Sequence, residues 1–244
     1  MVSLYAARCG GVVISTPGLD LGQTPKPVKI LLIMALGLTL FGSLGTSSAL
    51  NGVDPFWLVL LVPLEFTIGL AMGFAVRLIF AAVEVAGELA SFQMGFSAAA
   101  AFDPNTGASI SPPTRLLFVV TILLFFAIDG HHQVILALAG SYTHVPVGAA
   151  SIGSINPEAF LMLVWGLFET ATRIAFPLIF VMLVVNAVLG ALVRFVPQVN
   201  VFMIGFILTM GLGMLAMADL MPSFVSAIVA MLAGIGEVLP SILH

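Results

Sequence analysis

The strongest constraint on this chain is a series of apolar stretches long enough to cross a membrane, punctuated by Pro, Gly, Asn, Asp and rare charges. A helix needs about 20 apolar residues to span roughly 30 Å of hydrocarbon. Residues 30–50, 56–83, 116–142, 199–218 and 224–243 reach that length. Residues 1–16 do not. Residues 159–193 are too many for one straight span and contain Arg173 and Pro177, so a kinked long helix or a hairpin is expected there. The runs are continuous rather than short and alternating, which argues against an outer-membrane barrel.

Charge supports the same reading. Charged residues make up 7% of the chain and the mean hydropathy is +1.22, whereas a soluble domain carries roughly 25% charged residues. Too few charges are present to cover a water-facing surface. Seven Lys and Arg against eleven Asp and Glu form no basic patch, so nucleic-acid binding is not expected. Cys9 is the single cysteine, which excludes an internal disulfide and a cysteine-built metal site. The start lacks a basic region before an apolar run, and Arg8 interrupts it, so no secretory leader is expected. The expected fold class is all-α: long kinked apolar helices and helical hairpins, membrane-associated, in a single domain over 1–244.

Several constellations need partners. Glu84 and Glu88 share one helix face, and Arg77 lies seven residues before Glu84. They read as an ion-paired helix end or an intersubunit stripe, with no supporting group for catalysis. Met203, Met210, Met214, Met217 and Met221 recur at spacings of seven, four, three and four, a helical stripe suited to packing on an irregular partner or to lining a passage. Gly69 and Gly73 form a GxxxG pair that permits close backbone approach. Asn186 sits in an apolar run as an interhelical hydrogen-bond donor. Asp129, Gly130, His131 and His132 read as a helix break or a buried polar contact. Adjacent histidines diverge by roughly 100° on a helix, so no metal site is expected there. No Walker A, nucleotide fingerprint or HExxH sequence is present, so no cofactor and no catalytic residue is expected. The longest non-apolar connection, 84–114, mixes phenylalanines with small residues and is expected to pack rather than remain in water.

Pro177 to Phe206 resembles the C-terminal signature of the FliR family of flagellar export-apparatus proteins, related to the SpaR, YscT and HrcT proteins of injectisomes. Asn186, Gly190, Arg194, Pro197, Gln198, Phe202, Gly205 and Phe206 carry the resemblance. Further blocks are Gln93-Met94-Gly95 with Asp103, Pro104 and Arg115; Gly130-His131 with Pro146 and Gly148; and Pro25, Lys26, Val28 and Lys29 with Arg8 upstream. The chain departs from the pattern where relatives often place aromatics, at Ala98 and Ala101, and it begins closer to Arg8.

The resemblance implies a non-enzymatic subunit of the type III protein export gate in the bacterial inner membrane, at the base of the flagellum. Such a subunit closes a helical assembly of FliP-like and FliQ-like proteins wrapped by a FlhB-like protein, and unfolded substrates pass through its channel. It implies that the central loop acts as a plug, with Met94, Phe96, Ser97, Phe102, Asp103, Pro104 and Gly107 as candidate channel residues. Arg77, Glu84, Glu88, Asn186, Arg194, Met210, Met214 and Met217 are candidate subunit-packing residues, alongside lipid contacts. It also places the helices largely above the bilayer plane. Lys26, Lys29, Arg77, Arg115 and Arg194 would instead mark cytoplasmic connections if every stretch crossed once. The alternatives are an injectisome subunit of the same family and, in another class, a secondary transporter for a small solute. A transporter often shows repeated halves, and no convincing internal repeat is visible.

Overall fold

The computed structural model describes residues 2–19, 25–45, 55–96, 111–195 and 201–243, and among them the protein is a set of α-helices. These are α1 (Val2–Ser15), α2 (Lys26–Leu44), α3 (Pro55–Gln93), α4 (Pro112–Ala127), α5 (Gly130–His144), α6 (Pro157–Phe195), α7 (Val201–Ala233) and α8 (Ile235–Ser241), with a 3₁₀ turn at Ile152–Ser154. The one β-type pairing among the described residues is a bridge between Ile155 and Leu243. The all-α, apolar-helix reading therefore holds. Four helical segments are long and apolar enough to cross a membrane: Lys26–Leu44, Val59–Gln93, Pro157–Leu192 and Gly205–Ala233.

Prolines explain where several helices begin. α2, α3, α4 and α6 start at or beside Pro, whose missing N–H costs nothing in the first turn. Asn156 caps α6: its Oδ1 accepts from the N–H groups of Glu158 at 3.0 Å and Ala159 at 3.3 Å.

Two boundaries differ from the sequence expectation. α3 does not stop near Val83 but continues through Glu84 and Glu88 to Gln93. Nothing in that stretch breaks a helix except a lone glycine. The helix ends instead at Gly95, whose φ of 85° closes the last turn as only glycine does without strain. The 116–142 stretch is two helices separated at Asp129, which adopts left-handed φ 56°, so the helix-break reading of Asp129–His132 describes this place. The 199–218 and 224–243 stretches are largely one helix, α7, with Pro222 inside it. Apolar helices tolerate such a proline where neighbours satisfy the freed carbonyl. The 159–193 stretch is a single long helix with Pro177 inside, so of the two forms expected for it the hairpin is not the one present.

Internal packing divides the chain into two compact units. One comprises Met1–Ile79, Phe125–Trp165 and Met231–His244, the other Phe80–Leu124 and Gly166–Ala230. In the first unit α1 is the central element, burying Leu4, Tyr5, Arg8, Cys9, Val12 and Val13. The C-terminal end is pinned there by the Asn156 N–H, which donates to the Ile242 carbonyl at 2.8 Å. The second unit has its own core of Phe80, Val83, Ala86, Ala90, Met94, Leu117, Leu178, Met182 and Met217.

Candidate functional site

The first unit is built around a buried ion pair. Arg8 on α1 and Glu65 on α3 are both 0% exposed. Arg8 Nε and Nη2 reach Glu65 Oε2 at 2.7 and 2.6 Å. Nη1 donates to Ser141 Oγ at 3.0 Å, and both Nη1 and Nη2 donate to the Val145 carbonyl at 3.1 Å. The five N–H donors of the guanidinium thus meet acceptors on three different segments. Its carbon also lies 4.2 Å above the centre of the Tyr142 ring, a cation–π contact.

The remaining carboxylate oxygen is satisfied by backbone. Glu65 Oε1 accepts from the Gly148 N–H at 2.9 Å. Gly148 is the third residue of a turn closed by the Ala149 N–H on the Pro146 carbonyl. Its φ of 89° fits a type II turn, which requires positive φ at that place and so selects glycine. A charge pair buried in an apolar environment is stable only when its remaining lone pairs and protons are satisfied, and here they are.

Glycines bring α1 and α3 close enough for the pair to form. A Cβ on Gly69 would collide with the backbone oxygen of Arg8, and one on Gly73 would meet Ser15 Oγ and the Val12 carbonyl. Reciprocally, a Cβ on Gly11 would lie 2.5 Å from Leu70 N and 2.7 Å from the Gly69 carbonyl carbon. The GxxxG pair read from the sequence is therefore the crossing point of two helices of this chain. Cys9 lies in the same crossing, fully buried, and burial pushes its thiol up to about 11. That keeps it protonated and poorly nucleophilic at neutral pH.

A hydroxyl cluster joins two helices in the second unit. A Cβ on Gly87 would lie 2.7 Å from Thr114 Cα, so the backbones of α3 and α4 nearly touch. Around that point Ser91 Oγ and Ser111 Oγ are 2.6 Å apart and Ser111 Oγ and Thr114 Oγ1 are 2.7 Å apart. Ser111 Oγ also donates to Glu88 Oε1 at 3.3 Å. These bonds tie together the two stems that flank residues 97–110. Met94 is fully buried, and its side chain occupies the space left by the absent Cβ of Gly213. Phe96 is half-buried. The other candidate plug residues, Ser97, Phe102, Asp103, Pro104 and Gly107, lie outside the described residues.

The candidate packing residues are dispersed. Arg77 is exposed at the edge of a groove of about 490 Å³ lined by Ile14, Leu70 and Phe74. Glu84 is half-buried and Glu88 is exposed. Met217 is buried in the second unit, Met214 is 41% exposed and Met210 is intermediate, so the methionine stripe straddles the edge of the packed face. Asn186 is exposed on α6, and Arg194 lies at its end with its side chain outside the described set. Around Asn186, α6 exposes Phe176, Phe180, Leu183 and Val188. Nearer its start Leu161, Met162 and Trp165 are 71, 74 and 76% exposed. Apolar surface on this scale belongs against lipid or protein, not water.

The Arg8–Glu65 hub is what sequence reading missed. Arg8 stands out in the sequence as an interruption of an apolar run, whereas Glu65 lies inside the 56–83 stretch without a local partner. A lone carboxylate in an apolar helix was the available signal.

The comparisons with known proteins decide the family. The model of bacterial export proteins, family 1, matches residues 1–235. The flagellar biosynthetic protein FliR of Escherichia coli K12 is 34% identical over 218 residues, covering 88% of this chain and 82% of the relative. The chain belongs to the FliR family. FliR of Aquifex aeolicus is 32% identical over 199 residues, covering 81% of this chain and 76% of its own. FliR of Caulobacter vibrioides is 30% identical over 227 residues, covering 89 and 87%. The chain is thus a helical membrane protein of the FliR family, and the match runs through both compact units.

Proposed function

We propose that this chain is a non-enzymatic subunit of the flagellar type III export gate. In this reading it sits in the inner membrane, closes an assembly of FliP-like and FliQ-like proteins next to a FlhB-like protein, and helps to gate the passage of unfolded substrates. Family membership across residues 1–235 is the observation that carries the reading. The exposed apolar residues of α6 in the second unit support it, because Phe176, Phe180, Leu183 and Val188 offer apolar surface for neighbouring subunits. So does the chemistry of the buried centre. Arg8 and Glu65 are spent on each other, on Ser141 and on backbone groups, an arrangement that fixes helices rather than transforms a substrate.

Co-expression with FliP-like and FliQ-like partners, followed by native mass measurement, is the test. One copy of this chain per complex is expected. A stable homo-oligomer that forms without partners and supports export would overturn the reading.

The plug role of residues 93–113 belongs to the same proposal. The Ser91–Ser111–Thr114 clasp supports it, since it holds α3 and α4 together at the two ends of the segment independently of the residues between them. Deleting Phe96 to Gly107 is expected to leave assembly largely intact and to make assembled complexes conduct ions in planar bilayers. A deletion complex as tightly closed as wild type would show that the barrier lies elsewhere.

A further inference from the structure

The break between α4 and α5 gathers three metal-ligating side chains that the proposed function leaves unused. Asp129, His131 and His132 each offer one ligand atom, and these atoms all lie within 4.8 Å of one another. On a regular helix, consecutive side chains diverge by about 100°. Here the two histidines open the first turn of α5, directly after a left-handed Asp129 with φ 56° and ψ 31°. Aspartate is among the few residues that tolerate that conformation. The imidazole centres come to 5.2 Å. Glycine at 130 permits the close approach, because a Cβ there would lie 2.5 Å from the Phe125 ring.

A second observation points to a ligand. His131 Nδ1 is sealed from solvent and has no hydrogen-bond partner. The Phe126 ring lies 5.4 Å from the His131 ring, so the local surroundings are partly apolar. Buried polar atoms are nearly always partnered, and an orphan calls for an explanation such as an ion. Asp129 forms no ion pair with a Lys or Arg among the described residues. Asp129 and His132 are exposed, so an ion has access.

We propose that Asp129, His131 and His132 bind a divalent transition cation of the Zn²⁺ class at the α4–α5 break. Two imidazoles and one carboxylate suit such an ion, whereas Ca²⁺ and Mg²⁺ require oxygen donors. Three protein ligands leave a fourth position open for water or a partner's side chain. Metal–ligand bonds of about 2.0–2.2 Å would draw the donors closer than 4.8 Å, a change that rotation of the exposed Asp129 and His132 side chains supplies. The bound ion would clip the break in one geometry, and coordination through Nδ1 would give His131 the partner that this atom lacks.

The test uses the full chain, purified in detergent through an affinity tag free of histidine and titrated with Co²⁺ and then Zn²⁺. One Co²⁺ per chain is expected, with a visible absorption band that Zn²⁺ abolishes. Asp129→Asn keeps a residue that accepts the left-handed backbone but removes the anionic ligand, and His132→Gln removes an exposed imidazole. Loss of even a supporting group costs about 10–100-fold in metal affinity, so both variants are expected to lose stoichiometric uptake. His144→Gln, at the other end of α5, should bind as wild type does. Failure of the wild-type chain to take up either ion, or unchanged uptake by both triad variants, would overturn the proposal. Equal loss in His144→Gln would do the same.

Discussion

Glu65→Ala is expected to release helix α1 from the first unit and to lower the stability of the isolated chain by roughly 3–5 kcal/mol. The substitution removes a side chain that is 0% exposed and leaves the Arg8 guanidinium buried without its counter-ion. It also strips the Gly148 N–H of its acceptor. The cost comes less from the lost attraction than from the uncompensated charge. Replacing both partners together, as Arg8→Met with Glu65→Leu, should therefore recover much of the loss, because apolar groups of similar volume need no counter-ion. Glu65→Gln keeps an acceptor for Gly148 and is expected to fall between the two. Thermal unfolding in detergent reads stability, and maleimide labelling of Cys9 reads the docking of α1. In the wild type Cys9 is 0% exposed and burial holds its thiol up at about 11, so labelling is expected to be slow. In Glu65→Ala labelling should become fast. An unchanged unfolding midpoint with Cys9 still protected would show that the pair does not hold α1 in place.

How much of this was legible in the sequence depends on distance along the chain. The helical, membrane-sized stretches follow from local composition, so the fold class could be read directly. The Asp129 break was also legible, because DGH departs from the apolar pattern around it. Helix ends were less so. Hydropathy falls at Glu84, but hydrogen bonding does not, and α3 runs on to the glycine whose backbone can turn. The hub was hidden for another reason. Arg8 and Glu65 are 57 positions apart, and Arg8 and the Val145 carbonyl 137 apart. No periodicity connects such positions. The charged stripe of Arg77, Glu84 and Glu88 is visible in the sequence because its spacing is local. Of these, Glu88 meets Ser111 on the neighbouring helix, a hydroxyl with no charge signature at all.

Gly69→Val is expected to be as damaging as the loss of Glu65, through geometry rather than charge. The added Cβ would collide with the Arg8 backbone oxygen and lie within 2.9 Å of the Arg8 carbonyl carbon and 3.1 Å of its Cα. Each neighbour is main chain, which cannot swing aside as the tip of a long side chain can. Helix α1 must therefore move as a body. Overpacking alone costs about 1–3 kcal/mol in a well-packed core. Here the displaced residue is Arg8 itself, so the same movement pulls the guanidinium away from Glu65, Ser141 and Val145. The two penalties compound, and Cys9 should become reactive in this variant too. Gly190→Val is the control. Gly190 lies on α6 with nothing within 4 Å of a built Cβ, so the isolated chain should unfold at the wild-type midpoint with Cys9 protected. If Gly190→Val nevertheless blocks co-assembly with partner subunits, the open space beside it is where a neighbour packs. Wild-type stability in Gly69→Val would mean that α1 and α3 do not cross at this glycine, and the account of the hub would fall with it.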